Sequence, residues 1–333
     1  MKIKFFVMFL GLTFVVSLIF AFPTGQALAQ ETIGKLVTFN GKVKLERKGE
    51  TIPLKPNMAL FSEDRIETKR GTAKIEFMDG SLIDIETNTD VFLEKTTKKR
   101  CIFGVWHKPY LSRTIRVNKG KIEGNIRPQK DLLTEFETPS VIAQVKQTIL
   151  SIDVDKQGRT NMSLNKGEIY AISPDGWSVF TLAPSDSVRV YWDSENKTIL
   201  VHSYSGTIVV NSGDTLSLVE PGDTMTSTVD PDTAATDIRA NAGTIEVIVC
   251  SILATLEAGE AVSCDANPAM NRGIIAVTAG EVSVLALGKI RIITKGNGVI
   301  CHCGASLSSV PIPPAAPPTP PLPPSPTPTS PMR

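Results

Sequence analysis

Three histidines, His107, His202 and His302, are the only imidazoles this chain offers for acid–base work. None stands in an H-E-x-x-H or other recognisable catalytic frame. Serine, aspartate and glutamate are plentiful, but no spacing pairs a nucleophile with a base. Asp153-x-Asp155-x-x-Gly158 has the opening of a calcium loop. Its twelfth position is Leu164, where a bidentate glutamate is needed, so a hairpin turn is expected instead. Cys301-His302-Cys303 with Cys264 supplies zinc-type ligands. Adjacent strand residues point to opposite faces, which works against one tetrahedral site. The residues therefore predict neither catalysis, nor a resident metal, nor a cofactor.

The strongest chemistry on offer is electrostatic. Residues 95–130 carry eleven basic side chains against the single acid Glu123. Lys98, Lys99, Arg100, Lys108, Arg113 and Arg116 surround Phe103, Trp106 and Tyr110. Cations mixed with aromatics suit a polyanion such as an acidic glycan or a lipid headgroup. The competing reading is a solvated insertion. Residues 201–300 hold eleven acids and five basic residues, so the molecule is polarised although its net charge is only +1.

These groups must be held by elements, and the elements announce themselves by repetition. A Gly-x-[Ile/Val/Leu] step recurs at Gly41, Gly80, Gly120, Gly167, Gly206, Gly243 and Gly280. Turn residues follow in step, as at Ala183-Pro184-Ser185-Asp186, Glu220-Pro221-Gly222-Asp223 and Ala258-Gly259-Glu260. A fixed period with turns in register marks stacked supersecondary units. Between turns the text alternates apolar and polar, as in Lys74-Ile75-Glu76-Phe77, and Asp79-Gly80 and Asp175-Gly176 are hairpin turns. The expected fold is all-β: short strands stacked as a β-solenoid or β-roll, with a β-sandwich as the alternative.

The ends read differently. Lys2 and Lys4 precede an uncharged apolar run from Phe5 to Phe22, and Ala27-Leu28-Ala29 offers a signal-peptidase site. Export with cleavage after Ala29 is expected, leaving no membrane span; a retained anchor is the alternative. Export places the chain in the periplasm or outside the cell and argues against nucleic acid as a partner. The expected divisions are a signal peptide at 1–29, a first domain at 30–172, a repeat extension at 173–305 and a disordered tail at 306–333. Twelve of the 23 residues from Pro311 to Arg333 are proline. Such a tract adopts polyproline II and spans roughly 70 Å at ~3.1 Å per residue.

Five cysteines, Cys101, Cys250, Cys264, Cys301 and Cys303, would meet an oxidising compartment. Cys264 and Cys301 occupy equivalent places after Gly243 and Gly280. If successive repeats lie on neighbouring strands, these two form a disulfide.

Several motifs follow one another in order: Gly41-Lys42-Val43, Arg65-Ile66-Glu67-Thr68, Gly71 through Phe77, Asp79-Gly80-Ser81 and Asn88-Thr89. After them come Gly120-Lys121-Ile122, Phe136 through Ala143, Ile152-Asp153-Val154, Gly158 and Gly167-Glu168-Ile169. In this order the stretch from Ile33 to Ile172 resembles the FecR-like periplasmic domain. It implies an envelope-located, non-catalytic domain that binds a ligand or another protein, as in a sensing module. One departure stands out: Lys146-Gln147-Thr148 occupies the place where the family carries Arg-Gly-Thr. The regulators that name the family also carry a cytoplasmic segment and a membrane span before this domain. Export from the first residues implies no direct hold on a cytoplasmic sigma factor. The expected function is thus binding of an envelope protein or anionic envelope polymer. The rival is a structural surface or matrix protein in which the repeats supply length.

Overall fold

The computed structural model describes residues 31–267, 272–286, 289–302 and 305–311. The expected signal peptide with its cleavage site at Ala29, and the tail beyond Pro311, lie outside these residues. No helix occurs among those described.

The chain opens with β1 (Thr32–Arg47), β2 (Glu50–Ile52), β3 (Met58–Phe61), β4 (Asp64–Phe77), β5 (Leu82–Ile85) and β6 (Thr89–Lys98). A small separate hairpin follows, β7 (Cys101–Ile102) with β8 (Val105–Trp106). Next come β9 (Tyr110–Asn125), β10 (Leu133–Glu137), β11 (Ile142–Val154) and β12 (Thr160–Ile172). The repeat extension begins with β13 (Ser178–Leu182), β14 (Ser187–Asp193), β15 (Thr198–Ser205), β16 (Ile208–Ser212) and β17 (Thr215–Val219). It continues through β18 (Thr224–Val229), β19 (Thr236–Ala242), β20 (Ile245–Val249), β21 (Ile252–Leu256) and β22 (Ala261–Asn267). It closes with β23 (Arg272–Ala279), β24 (Glu281–Ala286), β25 (Lys289–Thr294), β26 (Asn297–His302) and β27 (Ala305–Pro311). β27 thus carries regular structure past residue 306, where the sequence suggested a disordered tail. Pro311 closes it opposite Asn297, at the strand end where a missing N–H is tolerated.

Pairing sorts these strands into two ladders. The front ladder runs through β3, the first half of β1, the second half of β4, β5, and the second halves of β9 and β11. It continues through the first half of β12, then β14, β15, β18, β19, β22, β23, β26 and β27. The back ladder runs through β2, the second half of β1, and the first halves of β4, β9 and β11, with β6 and β10 between them. It continues through the second half of β12, then β13, β16, β17, β20, β21, β24 and β25. Five long strands, β1, β4, β9, β11 and β12, cross from one ladder to the other. Their register shifts, for example between Lys42 and Val43 and between Lys146 and Ile149, are the bends that make the crossing possible.

Both ladders turn alternate residues inward. On β20 and β21 these are Ile245, Val247, Val249, Ile252, Ala254 and Leu256, all fully buried. The buried residues of both ladders form one hydrophobic cluster from Ile33 to Val299. The stack and the sandwich expected from sequence are therefore one object: hairpins added alternately to two facing sheets. The core also runs unbroken past residue 172.

The periodic glycines are corners of this object. Gly206, Gly243 and Gly280 each carry the chain from the front ladder to the back, with φ of 78°, 72° and 77°. The second turn returns it. There Ser185, Gly222, Gly259 and Gly296 donate backbone N–H to the carbonyls of Leu164, Ser203, Ala240 and Val277, at 2.7 to 3.0 Å. Each glycine corner also meets an acid from the preceding turn: Asp186 at Gly206, Asp223 at Gly243 and Glu260 at Gly280.

One expectation fails on this topology. Cys264 is a free, buried thiol, as Cys101 is free and half-buried. Cys264 lies on β22 opposite Ile275, and Cys301 lies on β26 opposite Gly273, so β23 separates them. Each period adds two strands to a ladder, so equivalent residues stand roughly 9.6 Å apart, beyond the reach of a disulfide. Burial instead pushes the Cys264 thiol up to about 12.

Candidate functional site

The basic segment was expected to present six cations as one face. The structure gathers three of them around acids from one strand and pairs a fourth with Asp79. β10 is the only strand paired in parallel among those described; it lies beside β9, with Glu135 opposite Thr114. Parallel pairing requires a crossover, here residues 126–132, and this delivers Glu135 and Glu137 beneath the cations.

Glu135 is fully buried. Its carboxylate lies 3.2 Å from Arg100 and 3.5 Å from Lys98. It accepts hydrogen bonds from Tyr110 at 2.8 Å, Gln144 at 2.9 Å and Ser112 at 3.0 Å. Burial alone would raise its pKa. The charge of Arg100, the hydrogen bonds from Gln144 and Tyr110, and the charge of Lys98 outweigh it and hold the carboxyl below its ordinary 4.5. Glu137 takes Lys98 and, at 3.2 Å, Arg116. Arg113 is buried apart from these, 2.9 Å from Asp79, with its guanidinium 4.2 Å from the centre of the Phe77 ring. Arg116, 43% exposed, is paired at the edge of the cluster, whereas Lys98, Arg100 and Arg113 are largely buried structural cations. A buried charge of this kind persists only because it is paired and hydrogen-bonded.

Lys99 and Lys108 remain, both exposed and without an acid partner among the described residues. They flank the β7–β8 hairpin. Phe103 and Gly104 form its turn, with φ of 49° and 73° as a type I′ turn requires. The hairpin is docked and not solvated throughout. Phe103 donates its N–H to the Gly176 carbonyl at 3.0 Å, and Gly104 lies against the Trp177 ring. Its far strand is bare: Val105 is 61% and Trp106 63% exposed. Lys99 stands 5.3 Å from the Trp106 ring centre. The hairpin thus holds out an aromatic with a cation over its face.

The turn that carries Asp155 is a hairpin turn. Its carboxylate accepts from the Gln157 and Arg159 backbone N–H groups and from the Arg159 side chain. His107 is exposed, and the His302 side chain lies outside the described residues. No group of three or more metal-ligating side chains occurs among the described residues. Sequence reasoning missed Glu135, Glu137 and Trp177 because each lies far along the chain from the residues it holds.

The site therefore belongs to an all-β module with a docked surface hairpin, its cations neutralised from a parallel strand. Residues 64–170 match the family described as FecR protein. Among solved structures, two crystal structures of a candidate anti-sigma factor from Parabacteroides distasonis share 14% identity with the chain, with a TM-score of 0.31. The match covers 42% of this chain and 59% of that one. The TCP10 domain of Danio rerio CPAP, in complex with a peptide of Danio rerio STIL, shares 12% identity over 69% of this chain and 99% of that one, with a TM-score of 0.13. No curated protein matches the chain.

The departure at Lys146-Gln147-Thr148 has a structural cost. Gln147 keeps the left-handed backbone, φ 53°, that a glycine adopts freely. Replacing it, Gln147→Gly, is expected to relieve about 1 kcal/mol of strain. Thermal unfolding should show this as a midpoint raised by a few degrees; a lowered midpoint contradicts it.

Proposed function

We propose that this is an exported, non-catalytic envelope protein whose FecR domain presents the β7–β8 hairpin to a protein partner, as a sensing or signalling module. The observation that carries the reading is the exposed Val105–Trp106 edge on a hairpin fixed at its turn by Gly176 and Trp177. Trp is the residue most enriched among interface hot spots, and the two free lysines beside it favour an acidic rim on the partner. The basic n-region and the Ala27-Leu28-Ala29 site support export to the periplasm or beyond. No helix among the described residues is long and apolar enough to cross a membrane.

The test places a photo-crosslinking residue at position 106, and at Lys156 as a remote exposed control, in growing cells. A discrete protein adduct from position 106 alone is expected. It should vanish when Lys99→Glu and Lys108→Glu are added, with unfolding stability changed by less than about 0.5 kcal/mol, as for ordinary surface substitutions. Equal adducts from both positions, or none from 106, contradict the reading. N-terminal sequencing of the mature protein should begin at Gln30.

A second reading has its own support. The repeat extension stacks hairpins with aligned corners, a construction suited to length. A structural surface or matrix role would show as self-association of the purified chain into extended particles.

A further inference from the structure

On the outer face of the front ladder, where the FecR domain meets the extension, a shallow groove of about 520 Å³ is lined by Gln157, Arg159, Arg189, Tyr191, Leu200, His202 and Thr224. The register explains why these residues meet. Asn161, Arg189, His202 and Thr224 are successive partners across β12, β14, β15 and β18. Tyr191 and Leu200 are partners in the same β14–β15 pair. Strand alternation sends them all to the solvent side.

The polar groups are already held in place. Arg189 donates from Nε to Asn161 at 2.8 Å, and its guanidinium carbon stands 5.3 Å from the Tyr204 ring centre. His202 bonds through Nδ1 to the Thr224 hydroxyl at 2.7 Å and meets Tyr204 edge-on at 4.6 Å. Arg159 is paired with Asp155 at 2.6 Å, whereas Arg189 has no carboxylate partner among the described residues. Its two terminal nitrogens are thus left as a planar donor fork, the geometry that matches a carboxylate with two parallel bonds. His202 keeps Nε2 for a ligand. The Tyr191 ring and the Leu200 side chain supply an apolar patch of the kind that receives the C–H face of a sugar ring, and Gln157 and Thr224 offer hydroxyl partners. The site is a trough open to solvent. It suits a segment of polymer better than a small molecule that must be enclosed.

We propose that this groove binds an acidic saccharide, with a hexuronate carboxylate on Arg189 and His202 and its ring over Tyr191 and Leu200. The site stands apart from the β7–β8 hairpin and does not rest on the function assigned to it.

The experiment is calorimetric titration of the mature full chain at low salt with an oligogalacturonate, a neutral dextran oligomer of equal length, and inorganic phosphate. The oligogalacturonate is expected to bind and the dextran not to bind. Arg189→Gln should weaken binding about tenfold or more, as expected for a lost charge-assisted bond. Tyr191→Ala should weaken it too, and both variants should keep the parent unfolding midpoint. Lys99→Glu with Lys108→Glu should leave the affinity unchanged. The proposal is overturned if oligogalacturonate does not bind, if Arg189→Gln binds as the parent does, if the lysine pair abolishes binding, or if phosphate alone displaces the saccharide at equal concentration.

Discussion

Glu135→Gln is expected to destabilise the protein by about 3–5 kcal/mol, the range for removing one partner from a buried charge cluster. The amide fills the space but leaves Arg100 and Lys98, both only 16% exposed, with Glu137 as their one remaining carboxylate. Denaturant unfolding measures the loss. Restoring charge balance with Arg100→Met in the same chain should recover part of it, because an apolar replacement of a buried pair is often neutral. A loss below 1 kcal/mol for Glu135→Gln would mean that the network does not hold the hairpin to the domain.

Glu135 sets an acid limit together with two carboxyls paired elsewhere, Asp79 with Arg113 and Asp90 with Arg65. Glu135, Asp79 and Asp90 all have folded pKa values below their ordinary 4.5, 3.8 and 3.8. In each, burial opposes the shift, and the arginine partner with neighbouring hydrogen bonds outweighs it. A depressed carboxyl pKa contributes stability that is complete above the unfolded value and is lost as pH falls through the folded value. The parent protein should therefore lose stability progressively below pH 4.5, and Glu135→Gln should lose less over that window because one of the three carboxyls no longer titrates.

Gly120→Ala is the second large effect, expected to cost about 3 kcal/mol or more. Gly120 has φ +87°, and an added Cβ would stand 2.5 Å from the Thr89 Cα and 2.4 Å from its hydroxyl. That hydroxyl bonds both to the Lys121 carbonyl and from the Lys121 N–H, at 3.1 and 3.0 Å, so moving it breaks the seam between β6 and β9. Gly49→Ala separates the two causes. Gly49 has nearly the same φ, +82°, but opens to free space, so only the conformational cost of about 1 kcal/mol should appear. Equal losses for the two variants would show that packing at the corner is unimportant.

Much of this architecture was legible in the sequence. Asp79-Gly80 and Asp175-Gly176 do close hairpins, between β4 and β5 and between β12 and β13, and the periodic glycines do lie at aligned corners. Period alone left the neighbour relation open. It identified Cys264 and Cys301 as equivalent but could not reveal that each repeat contributes a hairpin to either ladder. The basic surface failed for a related reason. Arg100 and Glu135 are 35 residues apart, and only the parallel return of β10 brings them together. Local composition counts charges along the chain and is blind to acids arriving from elsewhere. The Arg189 groove carried no sequence signal either, because its residues are spread over the turn before β12 and over β14, β15 and β18, and acquire meaning only through register.

The alternation of hairpins between two ladders is tested most directly by paired cysteines. Leu218 on β17 is the register partner of Glu246 on β20. Glu246 and Ser283 hold equivalent strand positions in successive repeats, yet both pair with Thr255, which stands between them. Under mild oxidation Leu218→Cys with Glu246→Cys should form a disulfide, and Glu246→Cys with Ser283→Cys should not. The reverse outcome, a bond between 246 and 283 and none between 218 and 246, would place successive repeats on adjacent strands and contradict the fold described.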